Sequence, residues 1–378
     1  MILGIDATNI SSGGGATHLK EVMNYIDSGF SKFDGYVIIS NKVVLDSILN
    51  SSLISKVWLP IFEKNFVWRF IWQILFSATF FKKRGCDLLF VPGGSYLGFF
   101  KPFVTMSRNM LPFEKSEMLR FGFSFMTAKL VLLRLTQQAT FARANGIIFL
   151  TKYAKNKIQE VTKRKYVNSK IINHGVDVSF SNRSDIRKKS FGANGIKILY
   201  ASPLSPYKHQ INVIEAVRRI RERGVPITLD LVGPDVFGGE SVKDIIFKYD
   251  PQNNYLRYFG SVPHSDMAKI CKNADIGIFA STCENLPNTL LEYMASGLAI
   301  ASSNFGPMPE VLQDGGVYFN PLCINEIAGA IDVYINFPEQ MEEKSLRGFN
   351  LSKKYSWKLC AKKTFDYLHA IVSDLKGL

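Results

Sequence analysis

Ser281-Thr-Cys-Glu-Asn-Leu-Pro-Asn-Thr-Leu-Leu-Glu-Tyr-Met-Ala-Ser-Gly297 is the stretch that decides the fold. It follows a short apolar run, Ala274 to Ala280, that reads as a β-strand. It opens a helix that begins near Pro287 and stops at Gly297. A strand passing through a loop into a free helix N-terminus is where α/β folds hold phosphate, because unpaired N–H groups and the helix dipole favour an anion. Two glutamates, Glu284 and Glu292, flank the helix start. Carboxylates are poor phosphate ligands but good acceptors for hydroxyls. The segment therefore asks for a ligand with a phosphate centre and hydroxyl-rich flanks, as in a nucleotide-sugar.

The rest of the chain sets the scale around that segment. At 378 residues it exceeds the size at which single cores stop growing, so two domains are expected. With 21% charged and 47% hydrophobic residues the composition is that of a folded globular protein, which excludes a disordered one. Five scattered cysteines (Cys86, Cys271, Cys283, Cys323, Cys360) form neither a metal spacing nor a disulfide framework, which fits a reducing cytoplasm. Met1–Asp6 reads as a first strand, without the basic region and cleavage site of a signal peptide. The most apolar run is bounded by Arg69 and Lys82, too short to span a bilayer.

Strand candidates are Ile2–Asp6, Gly35–Ser40, Leu88–Pro92, Gly146–Leu150 and Lys170–Asn173, then Ile196–Ala201, Thr228–Gly233, Tyr255–Gly260, Asp275–Ala280 and Ala299–Ser302. Helical patterns such as Ile211–Arg223 and Ser265–Asn273 fall between them. This alternation predicts parallel sheets and two doubly wound α/β domains. The expected boundary is the polar stretch Val178–Gly195.

Net charge is +14, and it is unevenly placed. Residues 1–177 hold 23 Lys+Arg against 11 Asp+Glu, a net +12, while residues 178–378 hold 23 against 21, a net +2. A basic half points to an anionic partner: membrane surface, nucleic acid or a phosphorylated substrate. Phe66–Arg84 is rich in aromatics and ends in three basic residues, as an interfacial helix would, although a packing helix with a charged exit has the same pattern. Phe121–Thr140 is similarly apolar and carries Lys129 and Arg134. Together with the basic half, these segments favour peripheral membrane contact. A nucleic-acid reading fares worse, because the basic residues are dispersed among apolar helices with no base-reading motif.

Gly13-Gly14-Gly15 follows the first strand and precedes a helix starting near Ala16, a setting that lets backbone approach a phosphate or simply makes a turn. Tyr207-Lys208-His209 follows the strand Ile196–Ala201, where a base can neutralise a leaving diphosphate. Arg108 and Asn109 are polar residues in an apolar setting; they line a cleft or make a turn with a capping asparagine. No Asp-x-Asp occurs, and the five histidines lack ligand spacing, so neither metal nor cofactor is expected. His18 reads as packing or capping rather than as a ligand.

Leu204-Ser-Pro-Tyr-Lys208, Tyr258-Phe-Gly-Ser-Val262 and Ala274–Ser281 together resemble the nucleotide-sugar domain of family-4 retaining glycosyltransferases. So does Glu284 followed eight positions later by Glu292, then Gly297, Gly306-Pro-Met-Pro-Glu310 and Asp314-Gly-Gly316. His174-Gly-Val-Asp177 resembles the family's interdomain segment, and Ser356-Trp357 the start of its closing helix. The likeness runs in order through most of residues 150–365; residues 1–145 share only architecture and the glycine-rich loop.

The resemblance implies a GT-B fold, two Rossmann-like doubly wound domains facing across a cleft. It implies an acceptor-binding domain 1–177, a nucleotide-sugar domain 178–354 and a closing helix 355–378 that returns to the first domain. Glu284 would contact the donor sugar and Glu292 the ribose hydroxyls. Backbone around Pro287, Asn288 and Thr289 would face the diphosphate, and Lys208 would offset its charge. Gly260 and Val262 would border the base, and Gly14 and Gly15 would approach the diphosphate. The family commonly has an arginine where this chain has Pro203, so His209 or Arg108 is expected to assist Lys208. The implied activity is retaining transfer from a UDP- or GDP-sugar to a glycan or polyprenyl-diphosphate-linked acceptor in bacterial surface-polysaccharide or lipopolysaccharide synthesis, at the cytoplasmic face of the plasma membrane. A sugar-nucleotide epimerase or hydrolase is the alternative on the same fold.

Overall fold

The computed structural model describes residues 1–10, 13–181, 195–236 and 239–377. Most of the expected boundary stretch, residues 182–194, lies outside the described residues. The chain divides into two compact units, one of Met1–Met118, Gly122–Gly175 and Ser356–Leu378, the other of Leu119–Phe121 and Val176–Tyr355.

The first unit is built on β1 (Ile2–Asp6), β2 (Gly35–Ile39), β3 (Ile54–Val57), β4 (Cys86–Val91), β5 (Phe103–Met106), β6 (Gly146–Phe149) and β7 (Ser169–Ile171). All pair in parallel, in the order β3-β2-β1-β4-β5-β6-β7. Helices cover both faces of such a sheet, so its central strands are continuously apolar rather than alternating. Leu88, Leu89, Phe90 and Val91 on β4 are all buried. The helix Trp357–Lys376 belongs to this unit. Its Tyr367 hydroxyl accepts from the Ile147 N–H at 3.1 Å and donates to the Asn168 carbonyl at 2.9 Å.

The second unit holds β8 (Ile196–Ala201), β9 (Ile227–Val232), β10 (Leu256–Tyr258), β11 (Ile276–Phe279), β12 (Ala299–Ser303) and β13 (Val317–Phe319), parallel in the order β10-β9-β8-β11-β12-β13. Ile198, Tyr200, Leu229 and Ile278 form its core with Val213, Val217 and Ile220 of the helix Gln210–Glu222 and Ile327 and Ile331 of the helix Ile324–Asn336. In both units the chain winds away from its first strand to one side and then returns to the other. The switch points are β1/β4 and β8/β11. Loops diverge there at the carboxyl ends of the strands, and α/β sheets bind ligands in the resulting crevice.

Strands β3, β5 and β13 are additions to the sequence reading. Each is three or four residues long, and β3 is an edge strand with Ser55 exposed. The segment Phe66–Arg84 corrects the expectation of one helix: it forms two, Phe66–Leu75 and Ser77–Lys83, parting at Phe76. The inner side carries two buried polar residues beside Trp72 and Phe81. The Gln73 amide donates to the Asp6 carboxylate at 2.9 Å, and the Ser77 hydroxyl donates to the Gln73 carbonyl at 2.5 Å. Outward, Phe66, Val67, Trp68, Ile71, Ile74, Leu75 and Phe76 remain substantially exposed.

Candidate active site

In the second unit, the loops after β8 and β11 meet above the switch point. The Thr282 N–H donates to the Tyr207 carbonyl at 2.9 Å, and the Thr282 hydroxyl lies 3.1 Å from His209 Nε2. Pro206–Lys208 is a single 3-10 turn, and His209 takes a left-handed conformation at φ 51° before the helix Gln210–Glu222. This kink turns Lys208 toward the loop after β11, where its ammonium donates to Glu284 Oε1. Both groups are largely buried. Burial alone would pull the Lys208 ammonium down, but the adjacent Glu284 carboxylate outweighs it and holds the group above the ordinary lysine range. The ammonium also stands 5.1 Å from the Phe279 ring centroid.

The helix Asn288–Ala295 is clamped over the same strands. Tyr293 lies against β11 so closely that a Cβ at Gly277 would come within 2.6 Å of its ring, which requires glycine there. Its hydroxyl accepts from the Ala201 N–H of β8 at 2.6 Å. Gly297, at φ 66°, supplies the left-handed residue that ends the helix. At the other end Pro287 is the cap residue, no side chain caps the first turn, and no acidic residue occupies it. Proline carries no N–H, so the free donors of this helix start belong to Asn288 and Thr289 rather than to Pro287 itself. Asn288 Oδ1 is buried without a hydrogen-bond partner.

Glu292 does not flank the helix start as the sequence spacing suggests. It lies one turn inside, facing the helix His264–Lys272, with Oε1 3.0 Å from His264 Nε2. Gly260, at φ 65°, sits just past β10, and its carbonyl accepts from the Gly233 N–H at 2.8 Å. Val262 is half-buried in the loop leading to His264. Pro203 occupies the β8 loop, its carbonyl accepting from the Gln210 amide at 2.8 Å. The second unit thus brings together Lys208, His209, Glu284 and the start of the Asn288 helix. It adds Thr282, His264 and Tyr293, whose contacts across the fold leave no mark in local sequence spacing.

In the first unit Gly14 and Gly15 are the first residues of the helix Gly14–Met23, two residues earlier than the glycine run suggests, again without a side-chain cap. Arg108, after β5, reaches this loop: its Nη1 lies 3.5 Å from the Gly15 carbonyl. Among the described residues no carboxylate pairs with it, and burial lowers the guanidinium toward about 10. Asn109 makes the capping turn, its Oδ1 accepting from the Leu111 N–H at 3.0 Å. His18 is fully buried against His174 and Trp357, with ring centroids 4.9 and 5.9 Å away, which makes it a packing residue.

Residues 181–346 match the family model for glycosyl transferases group 1. The O-antigen chain mannosyltransferase B of Escherichia coli is 27% identical over 115 residues, 30% of either chain, so the match spans less than a third of that relative's length. Among solved structures, the sucrose-phosphate synthase of Thermosynechococcus elongatus superposes with a TM-score of 0.77 at 14% identity, over 99% of this chain and 100% of that one. Anabaena HepE, solved with UDP-glucose, gives 0.70 at 17% identity over the full length of both. The two parallel sheets and these neighbours make the fold GT-B. The family match spans the second unit's loops described above, and with the GT-B fold it marks residues 181–346 as a group 1 glycosyltransferase domain.

Proposed function

We propose that the chain transfers a hexosyl group, with retention, from a UDP- or GDP-sugar to a glycan or polyprenyl-diphosphate-linked acceptor in bacterial surface-polysaccharide synthesis. The observation that carries this reading is the buried Lys208–Glu284 pair beside an uncapped helix start at the β8/β11 switch point. The N–H groups of Asn288 and Thr289 would receive the diphosphate, and Lys208 would offset the charge that develops on it as the glycosyl bond breaks. Glu284 would accept from the sugar's hydroxyls and Glu292 from the ribose. Gly260 and Val262 would border the base, with His209 beside Lys208; Gly14, Gly15 and Arg108 are candidate ligand contacts within the first unit. The reading assigns no protein nucleophile, metal or cofactor; positioning and leaving-group stabilisation carry the chemistry.

A thermal-shift series with UDP, GDP and their sugar conjugates tests it. A nucleotide at a hundred times its Kd adds about 2.7 kcal/mol. For a unit of this size that raises the midpoint by about 5–10 °C. No shift with any of these nucleotides sinks the proposal, and rapid donor breakdown without acceptor would favour an epimerase or hydrolase.

The acceptor reading includes contact with an anionic membrane. Residues 64–86 and 118–159 contain no acidic residue. The helix Phe125–Arg143 leaves Val131, Leu132 and Leu135 exposed along one stripe, below Phe123 and Phe125. These five side chains line an open apolar groove of about 620 Å³. Apolar side chains edged by basic residues suit an anionic lipid interface. Replacing Leu132 and Leu135 together by Glu is expected to lower sedimentation with phosphatidylglycerol vesicles at least about tenfold. Equal sedimentation of wild type with neutral vesicles, or no effect of the double change, contradicts the membrane contact.

A further inference from the structure

Glu292 is a long side chain with three rotatable bonds, yet its carboxylate is held. His264 Nε2 lies 3.0 Å from Oε1, and the carboxylate side chain is only 13% exposed. His264 is the first residue of the helix that packs beside Glu292's own helix. Its ring is 61% exposed and rests on one side against Phe180, at 61° with centroids 5.6 Å apart. Phe180 is buried in the turn Val178–Ser181, which packs against the Asn288–Ala295 helix. A chain of contacts thus runs from that turn through the imidazole to one oxygen of the carboxylate. Ordering such a side chain beforehand removes an entropy cost that a ligand would otherwise meet on binding.

We propose that His264 is a positioning residue, which holds the Glu292 carboxylate in the orientation that accepts the ribose hydroxyls of a nucleoside diphosphate. This rests on the ribose reading of Glu292. The charged groups that face His264 are Glu292, from the Asn288–Ala295 helix, and Asp177, from the segment before Phe180. The hydrogen bond to Glu292 raises the imidazole's proton affinity above the ordinary histidine value, burial opposes this, and the charges of Glu292 and Asp177 add to the rise. The imidazolium always carries a proton on Nε2, whereas the neutral ring does so in one of its two tautomers. The hold on Glu292 therefore weakens as pH rises through the raised pKa, and nucleotide affinity weakens with it.

Calorimetric titration of the full chain with UDP, GDP and inorganic pyrophosphate tests the assignment. His264→Ala is expected to weaken the better-bound nucleotide about tenfold, while His264→Gln, whose amide N–H can replace Nε2–H, stays within about threefold of wild type. Wild-type affinity should fall several-fold between about pH 6.5 and 8.5, and the Gln variant's should not. Pyrophosphate, which has no ribose, should bind all three proteins alike. Unchanged nucleotide affinity in His264→Ala overturns the role. So does equal loss for pyrophosphate, a Gln variant as weak as Ala, or a pH profile shared by wild type and Gln. Wild-type protein that binds neither nucleotide overturns the proposed function and this role with it, an outcome distinct from binding that ignores His264.

Discussion

Glu284→Ala is expected to lower transfer at least about 100-fold, the scale of losing a group that acts on the reacting centre. The sequence alone suggests a clean loss of activity on an intact fold. The structure adds a second consequence. Glu284 is the partner of a largely buried ammonium, and removing one member of a buried pair costs about 3–5 kcal/mol because the other charge is left uncompensated. Urea unfolding of the variant should show that loss, in a unit whose total stability is on the order of 5–15 kcal/mol. A double variant separates the two effects. Lys208→Met with Glu284→Leu replaces the pair by apolar side chains of similar volume, which should return most of the stability, because desolvating two charges offsets much of their attraction. Transfer should stay lost. Wild-type-like turnover in Glu284→Ala would remove Glu284 from the reaction, and a double variant as unstable as the single one would remove the buried-charge explanation.

The first unit should be acid-sensitive. His18 and His174 are both buried, with ring centroids 4.9 Å apart, and the Nδ1 atom of each lacks a hydrogen-bond partner. Burial holds both imidazoles neutral, well below the ordinary histidine range; His174 and Arg108 add to this for His18, and Arg108 for His174. Cys360, 3.8 Å from His18 Nε2, offers no negative charge, since burial pushes its thiol up to about 12. The unfolded chain takes up two protons as pH falls through about 6.5, and the folded unit does not. Folded pKa values below the unfolded ones mean stability that is complete above about 6.5 and declines on acidification. The slope approaches about 2.7 kcal/mol per pH unit, and the loss between pH 7.5 and 5 reaches about 4 kcal/mol. Urea midpoints measured across that range check the sign and size. The variant carrying His18→Asn and His174→Asn should start less stable but show a much flatter profile. A profile as steep as wild type would assign the acid sensitivity to other groups.

Much of the architecture was legible in the chain because it rests on local patterns. Ile2–Asp6 and Ile196–Ala201 are mainly apolar runs, broken only by Asp6 and the exposed Lys197, and Gly297 stops a helix wherever that helix packs. The stretch Ala274–Gly297 shows its strand, loop and helix start in order, since all three are made from consecutive backbone. Strands β3, β5 and β13 escaped, although β7 and β10 are as short; what defines them is the strand each pairs with in the sheet.

The sequence by itself determined two doubly wound domains, the free helix start at Asn288 and the residue types beside it, since periodicity and backbone chemistry are properties of neighbours along the chain. Tertiary structure alone decided what each charged group faces. It set Lys208 against Glu284 across 76 residues and His264 against Glu292 across 28. It moved Glu292 from the mouth of the helix to its flank, and buried His18 against His174. The physical reason is that burial and charge act through space. A carboxylate's role depends on which base and how much water lie within a few ångströms, and sequence distance does not carry that information.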